Sequence, residues 1–166
     1  GIDIVVNNAA NALTMPLGQL SPDGFAKSID VNLRGPLFLV ERALPHLERS
    51  VGASVLNVIS PWAFAYSAQA ALYAMSKAAL VSATRSMAQA YAPLGIRVNA
   101  LAPGAIDTDM VRNNDVEAVR ELESASLLKR LGRPIEMVPP ALLLLSDAGS
   151  FITGQVLMAD GGSFPL

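Results

Sequence analysis

The chain has 166 residues, 52% hydrophobic and 16% charged, with a formal net charge of −2; this suits a single domain, residues 1–166, with a real core and excludes a disordered chain. The absence of cysteine and the single histidine, His46, exclude disulfides, thiolate metal sites and a histidine-built zinc centre. No basic stripe suits nucleic acid and no apolar run approaches the roughly 18 residues that cross a bilayer, so neither partner is expected and the default location is cytoplasmic.

Residues 2–6, Ile-Asp-Ile-Val-Val, read as a short buried strand that ends in the polar turn Asn7-Asn8-Ala9-Ala10. The chain opens on Gly1 directly into this strand pattern, so its first residue is expected not to be a natural start. Ser21-Pro22 marks a helix start, with serine as N-cap and proline in the first helical position. Helix-spaced apolar residues then run through Phe25, Ile29, Leu33, Leu37, Val40 and Leu44, and Pro36 inside this run predicts a kink or a break. His46, near the helix end, reads as a surface residue. Residues 54–59 form a second strand, followed by Ser60, Pro61, Trp62 and Phe64. A long helix is expected over 72–91, stopped by Pro93 with Gly95 beyond. Residues 96–101 form a third strand closed by Pro103-Gly104. The polar stretch 107–133 reads as partly helical and mobile, and 135–145 as helix-like. A fourth strand, 155–158, ends in Asp160-Gly161-Gly162. Strands alternating with crossover-length helices imply parallel strands in a helix-covered sheet, the α/β class. No repeat, low-complexity segment or linker interrupts the pattern.

Chemistry concentrates in Tyr73-Ala-Met-Ser-Lys77, with Ser60 thirteen residues upstream. Positions four apart share a helix face, so the Lys77 ammonium can sit near the Tyr73 phenol. A free tyrosine titrates near ~10. A unit positive charge about 4 Å away, at an effective dielectric near 20, favours the phenolate by at most ~4 kcal/mol, bringing the phenol toward the range useful for proton transfer. Ser60 supplies a neutral donor for an alcohol or carbonyl oxygen. Asn32 falls inside a helical pattern, where asparagine is unfavourable unless its side chain has a task. Asn7 and Asn99 read as structural, bridging strand ends. Trp62 and Phe64 belong either to the core or to the edge of an apolar pocket.

These residues, with Asn7-Asn8-Ala9-Ala10, Asp30-Val31-Asn32, Ile59-Ser60, Ile96-Arg97-Val98-Asn99, Pro103-Gly104 and Thr153-Gly154-Gln155 followed by Asp160-Gly161-Gly162, occur in the order and spacing of the short-chain dehydrogenase/reductase family. The chain resembles that family over essentially its whole length. The resemblance implies a three-layer, partial doubly wound (Rossmann-like) parallel sheet. It implies NAD- or NADP-dependent interconversion of a secondary alcohol and a ketone, with a 3-oxoacyl, sugar or steroid-like carbonyl among the candidate substrates. On this resemblance Tyr73 is the general acid/base, Lys77 lowers its pKa and binds the nicotinamide ribose, Ser60 orients the substrate oxygen, and Asn32 holds a water behind Lys77. Asn8 and Ala9 flank the cofactor. Pro103, Gly104, the Ile106 backbone and the Thr108 hydroxyl match positions that meet the carboxamide, although Asp107 and Thr108 could equally cap the next helix. No metal is implied. A homo-oligomer, dimer or tetramer, is implied through the helices near 25–47 and 72–91, whose apolar faces could instead only cover the sheet.

The family also has a first βαβ portion carrying a glycine-rich, pyrophosphate-binding turn. No such turn occurs here, and Ala10 stands where the family has glycine. The expectation is therefore the C-terminal portion of a longer enzyme, its sheet missing the first strands and leaving residues 2–6 as an unpaired apolar edge. The residue that separates NAD from NADP would lie in the missing portion. The competing expectation is a truncated, non-catalytic scaffold derived from such an enzyme. Residues 107–131 are expected to form a lid, and Trp62, Phe64 and Met110 an apolar rim suited to an aliphatic or cyclic ketone.

Overall fold

The computed structural model describes residues 1–13 and 15–164. Four short apolar runs become β1 (Ile4–Asn7), β2 (Ser54–Val58), β3 (Arg97–Pro103) and β4 (Val156–Ala159). They form one sheet in the order β1-β2-β3-β4, every neighbouring pair parallel. Because the strands lie between helical layers, they lack the apolar/polar alternation of a one-sided sheet.

Helices α1 (Pro22–Ile29), α2 (Gly35–Leu47) and α3 (Ala71–Tyr91) lie on one side and α6 (Val138–Leu145) on the other. Successive strand residues feed opposite layers. Val5, Val55 and Val98 pack with Val40, Leu47 and Met87 beneath α2 and α3, whereas Leu56 and Leu101 pack with Leu144 of α6. This is the three-layer Rossmann-like α/β arrangement that the sequence led us to expect. The expected edge is present too: among the described residues β1 pairs only with β2, and its Ile4 and Val6 remain 49% and 46% exposed.

Local signals explain the helix ends. Ser21 caps α1, its Oγ accepting from the Gly24 N–H at 3.1 Å. After α3, a 3-10 turn over Ala92–Leu94 is closed by Gly95 at φ 75°, a left-handed conformation that glycine adopts without a Cβ penalty. His46 is exposed at the end of α2. The break expected at Pro36 takes the form of a widened π-helical segment, Asp30–Arg34, in which the Gly35 N–H reaches back five residues to the Asp30 carbonyl. Proline has no N–H to continue the ordinary ladder, and a π segment relieves the mismatch.

The stretch after β3 carries α4 (Asp109–Arg112) and α5 (Val116–Ala125), with Asp115 capping the latter. Both ends of this excursion are pinned together. Ile106 bridges Gly132, and the Asp107 N–H donates to the Gly132 carbonyl at 2.8 Å. Among the described residues no helix is long and apolar enough to cross a membrane, and no three acidic or histidine side chains gather as metal ligands.

Candidate active site

All four strands run the same way, so Asn8, Ser60, Gly104 and Asp160 follow their carboxyl ends on one edge of the sheet. Ligands of open α/β sheets collect at that edge. Ser60 leaves β2 in an extended conformation and starts a 3-10 turn, Pro61–Phe64, its Oγ accepting from the Trp62 N–H at 3.3 Å. Tyr73 lies in the first turn of α3 and Lys77 one turn later.

The structure brings these three side chains together. The Ser60 hydroxyl is close enough to the Tyr73 phenol to favour its ionised form, but burial is the larger influence and pushes the phenol above its ordinary value. Burial pushes the Lys77 amine down to about 8. Lys77 is 1% exposed, its Nζ donates to the Val58 carbonyl at 2.9 Å, and it lies 5.8 Å from the centroid of the Tyr73 ring. The expectation that Lys77 acidifies Tyr73 is therefore corrected for these side chains taken by themselves. Desolvation, a cost that grows with burial, drives both groups toward their neutral forms, and the amine is anchored beside the ring on a backbone carbonyl.

Asn32 sits in the π-helical segment and is fully buried. Its Oδ1 accepts from the Asn11 N–H at 2.7 Å, and its Nδ2 donates to the Asn11 carbonyl at 2.8 Å and to Ser76 Oγ at 3.0 Å. Ser76 Oγ in turn donates to the Tyr73 carbonyl at 2.7 Å. The side chain thus clamps the loop after β1 to the turn of α3 that carries Tyr73 and Lys77. Asn32 does have a task, as its helical position implied, and that task is to position both neighbours.

Asn8 and Ala9 are exposed directly beyond β1. Gly104 donates its N–H to the Ala159 carbonyl at 3.1 Å, and a Cβ there would lie 2.6 Å from Asp160 Cα. Close approach of β3 and β4 therefore requires this glycine, whatever Pro103 and Gly104 also bind. Thr108 Oγ1 turns back to donate to the Ile106 carbonyl at 3.3 Å and makes no side-chain cap on α4. Asp107 is paired with Arg112 Nε at 2.7 Å and leaves the helix uncapped as well. Beside these strand ends lies a cavity of about 310 Å³ lined in part by Gly104, Ile106, Ser126, Arg130, Met158 and Asp160.

Asn7 bridges strands as expected, whereas Asn57 and Thr84, which continue the bridge, escaped the sequence reading. Asn7 Nδ2 donates to Asn57 Oδ1 at 2.7 Å, and Asn57 Nδ2 to Thr84 Oγ1 at 2.9 Å, a buried ladder from β1 through β2 to α3. An asparagine in the middle of the apolar run of residues 54–59 was the available signal, because asparagine is depleted in strands. Asn99 behaves as expected, bridging to the Ile152 carbonyl and the Gln155 N–H ahead of β4.

With this geometry in place, comparison with known proteins decides the lineage. The family model described as enoyl-(acyl carrier protein) reductase matches residues 1–163. The chain belongs to the short-chain dehydrogenase/reductase family. It is 35% identical to dehydrogenase/reductase SDR family member 4 of Pongo abelii, over 98% of this chain and 60% of that protein. It is 37% identical to 2,5-dichloro-2,5-cyclohexadiene-1,4-diol dehydrogenase of Sphingobium indicum, over 98% of this chain and 67% of that protein. Among solved structures of the family, ligand-free aldohexose dehydrogenase of Thermoplasma acidophilum superimposes with a TM-score of 0.92 at 33% identity, covering 98% of this chain and 68% of that one. A blue fluorescent protein from a metagenomic library, in complex with NADPH, gives 0.91 at 31% identity, covering 98% and 65%. The chain spans about 60% of the length of the Pongo abelii relative.

Proposed function

We propose that this chain carries the catalytic, nicotinamide-facing part of an oxidoreductase that interconverts a secondary alcohol and a ketone, using NAD or NADP. The observation that carries this reading is the convergence of Ser60, Tyr73 and Lys77 at the carboxyl ends of parallel strands. The donor set fits a nicotinamide ribose: Lys77 commits one of its three N–H donors to Val58, and Asn8 is exposed at the end of the neighbouring strand. When bound, the nicotinamide supplies hydride transfer to or from the substrate carbon.

The protein's own part is the proton and the oxygen. Ser60 donates to the substrate oxygen and fixes it beside the phenol. Tyr73 gives a proton to that oxygen in reduction or accepts it in oxidation. Lys77, held on Val58, offers its remaining N–H groups toward the ribose side. The neutral bias that burial places on Tyr73 suits a proton donor. Asn32 keeps the two residues in register, and it is the residue we assign to holding a relay water behind Lys77. Residues 107–131, closed at their base by Ile106 and Gly132, act as the lid. Exposed Phe38 and Leu39 on α2 and Met75 on α3 support assembly into a homo-oligomer, a dimer or tetramer, read out by light scattering.

The test is NAD(P)H-linked turnover by the intact protein that carries this chain. Tyr73→Phe is expected to lower kcat by roughly 10²–10⁴-fold with an unchanged urea midpoint. Near-normal turnover in that variant would end the assignment.

A further inference from the structure

Residues 160–164 follow β4 at the sheet edge that carries Ser60 and are held by contacts of their own. Asp160, at the end of β4, folds the following residues back on themselves. Its two carboxylate oxygens accept from the Gly162 N–H at 3.0 Å and the Phe164 N–H at 2.9 Å, and Ser163 Oγ donates to its carbonyl at 2.7 Å. From the other side, Ser126 Oγ donates to the Gly161 carbonyl at 3.1 Å. So restrained, the Phe164 ring meets Trp62 edge-on, centroids 5.5 Å apart and planes at 61°. That is the preferred geometry of an aromatic pair. Trp62 is two residues beyond Ser60, and its backbone N–H donates to the Ser60 hydroxyl at 3.3 Å, so the turn that carries the aromatic pair is tied to the group assigned above to the substrate oxygen.

We propose that Trp62 and Phe164, set by Asp160, form an aromatic wall that selects a carbocyclic or similarly apolar alcohol or ketone over a polyol. This deepens the redox reading above and rests on it. An aromatic pair on the turn that follows Ser60 can desolvate a hydrocarbon ring. It leaves the several hydroxyls of a sugar without partners, and unpaired buried polar groups are the strongest source of rejection. Phe164 is the specificity residue, and Asp160 acts through it as a positioning residue.

Trp62 is the single tryptophan of these 166 residues, and in the intact protein the emission that Trp62→Phe removes is its own, so that difference reports on this wall without any turnover. In that difference emission, Phe164→Ala and Asp160→Ala are expected to cause a shift to longer wavelength, and cyclohexanol, but not glycerol, to cause a saturable change. With NAD or NADP, the ratio of kcat/KM for cyclohexanol over glycerol is expected to fall roughly ten-fold or more in Phe164→Ala. Asp160→Ala should move the ratio in the same direction. A ratio within two-fold of wild type, or emission that neither variant moves, would overturn the proposal. The two readings fail separately. A saturable emission response to cyclohexanol without turnover of either alcohol sinks the redox assignment and leaves the wall standing. Turnover without any emission response does the reverse.

Discussion

Lys77→Met tests the electrostatics of the site most directly. The amine is 1% exposed, and burial lowers its pKa from 10.5 to about 8. At about 1.4 kcal/mol per pH unit, holding it as a cation in the folded chain costs about 3 kcal/mol relative to the unfolded chain. The sign follows from proton counting. Between pH 8 and 10.5 the unfolded chain binds more protons at this residue than the folded chain, so wild-type stability rises with pH across that window. Below pH 8 both states are protonated and the whole cost is present. Methionine removes the charge and keeps a long apolar stem, but leaves the Val58 carbonyl without its 2.9 Å donor, a loss of about 1–3 kcal/mol. The variant is therefore expected to equal or exceed wild-type stability at pH 7, by up to about 2 kcal/mol. It should fall below wild type by pH 10.5, while turnover is lost throughout. Urea unfolding of both proteins at intervals from pH 7 to 10.5 reads this as two curves that cross. Tyr73 and Tyr91, both raised, titrate in both proteins and largely cancel in the difference. Parallel curves, or a methionine variant less stable by several kcal/mol at pH 7, would refute the claim that desolvation of the ammonium dominates here.

Asn32→Ala strips both backbone groups of Asn11 of their partner and leaves the Ser76 hydroxyl with only its bond to the Tyr73 carbonyl. Two stranded backbone groups predict a loss of about 2 kcal/mol or more, with faster hydrogen exchange at Asn11 and a lower kcat. In a double-mutant cycle of Asn7→Leu and Asn57→Leu, each single change strands a buried amide, whereas the double change removes both; a favourable coupling of about 1–2 kcal/mol is expected, measured by urea unfolding. Additive losses would show that the 2.7 Å bond does not hold the register of β1 against β2.

The outline of the fold was legible because its signals are local. Four apolar runs bounded by turn residues gave strands within one or two residues of those observed, and Ser21-Pro22 and Pro93-Gly95 marked helix ends through caps and left-handed geometry. The edge position of β1 came from the family resemblance. What stayed hidden is non-local. Pro36 announced a disturbance but not its form, because a π-helical segment has no propensity signature of its own; its shape depends on Asn32 finding Asn11 and Ser76 across a layer. Asp160 and Phe164 looked like the end of a motif, and only the fold brings the ring against Trp62.

The direction of the Tyr73 shift shows where such reading stops and why. The i, i+4 spacing of tyrosine and lysine correctly places both on one face, and Coulomb's law at 4 Å correctly says that a cation there would acidify the phenol. Yet the same packing that brings the pair together also removes water from both. Whether the phenol rises or falls is a difference between two terms of a few kcal/mol each, attraction scaling as 1/r and desolvation with burial. Neither distance nor burial is written in the spacing. With the amine held on Val58 beside the ring, desolvation prevails. A catalytic phenol in this chain must therefore draw any acidification from groups that approach Tyr73 when substrate and dinucleotide are in place, and proton release should be coupled to their binding. A pH profile of dinucleotide affinity that is flat through the alkaline range, in a protein with intact turnover, would contradict that coupling.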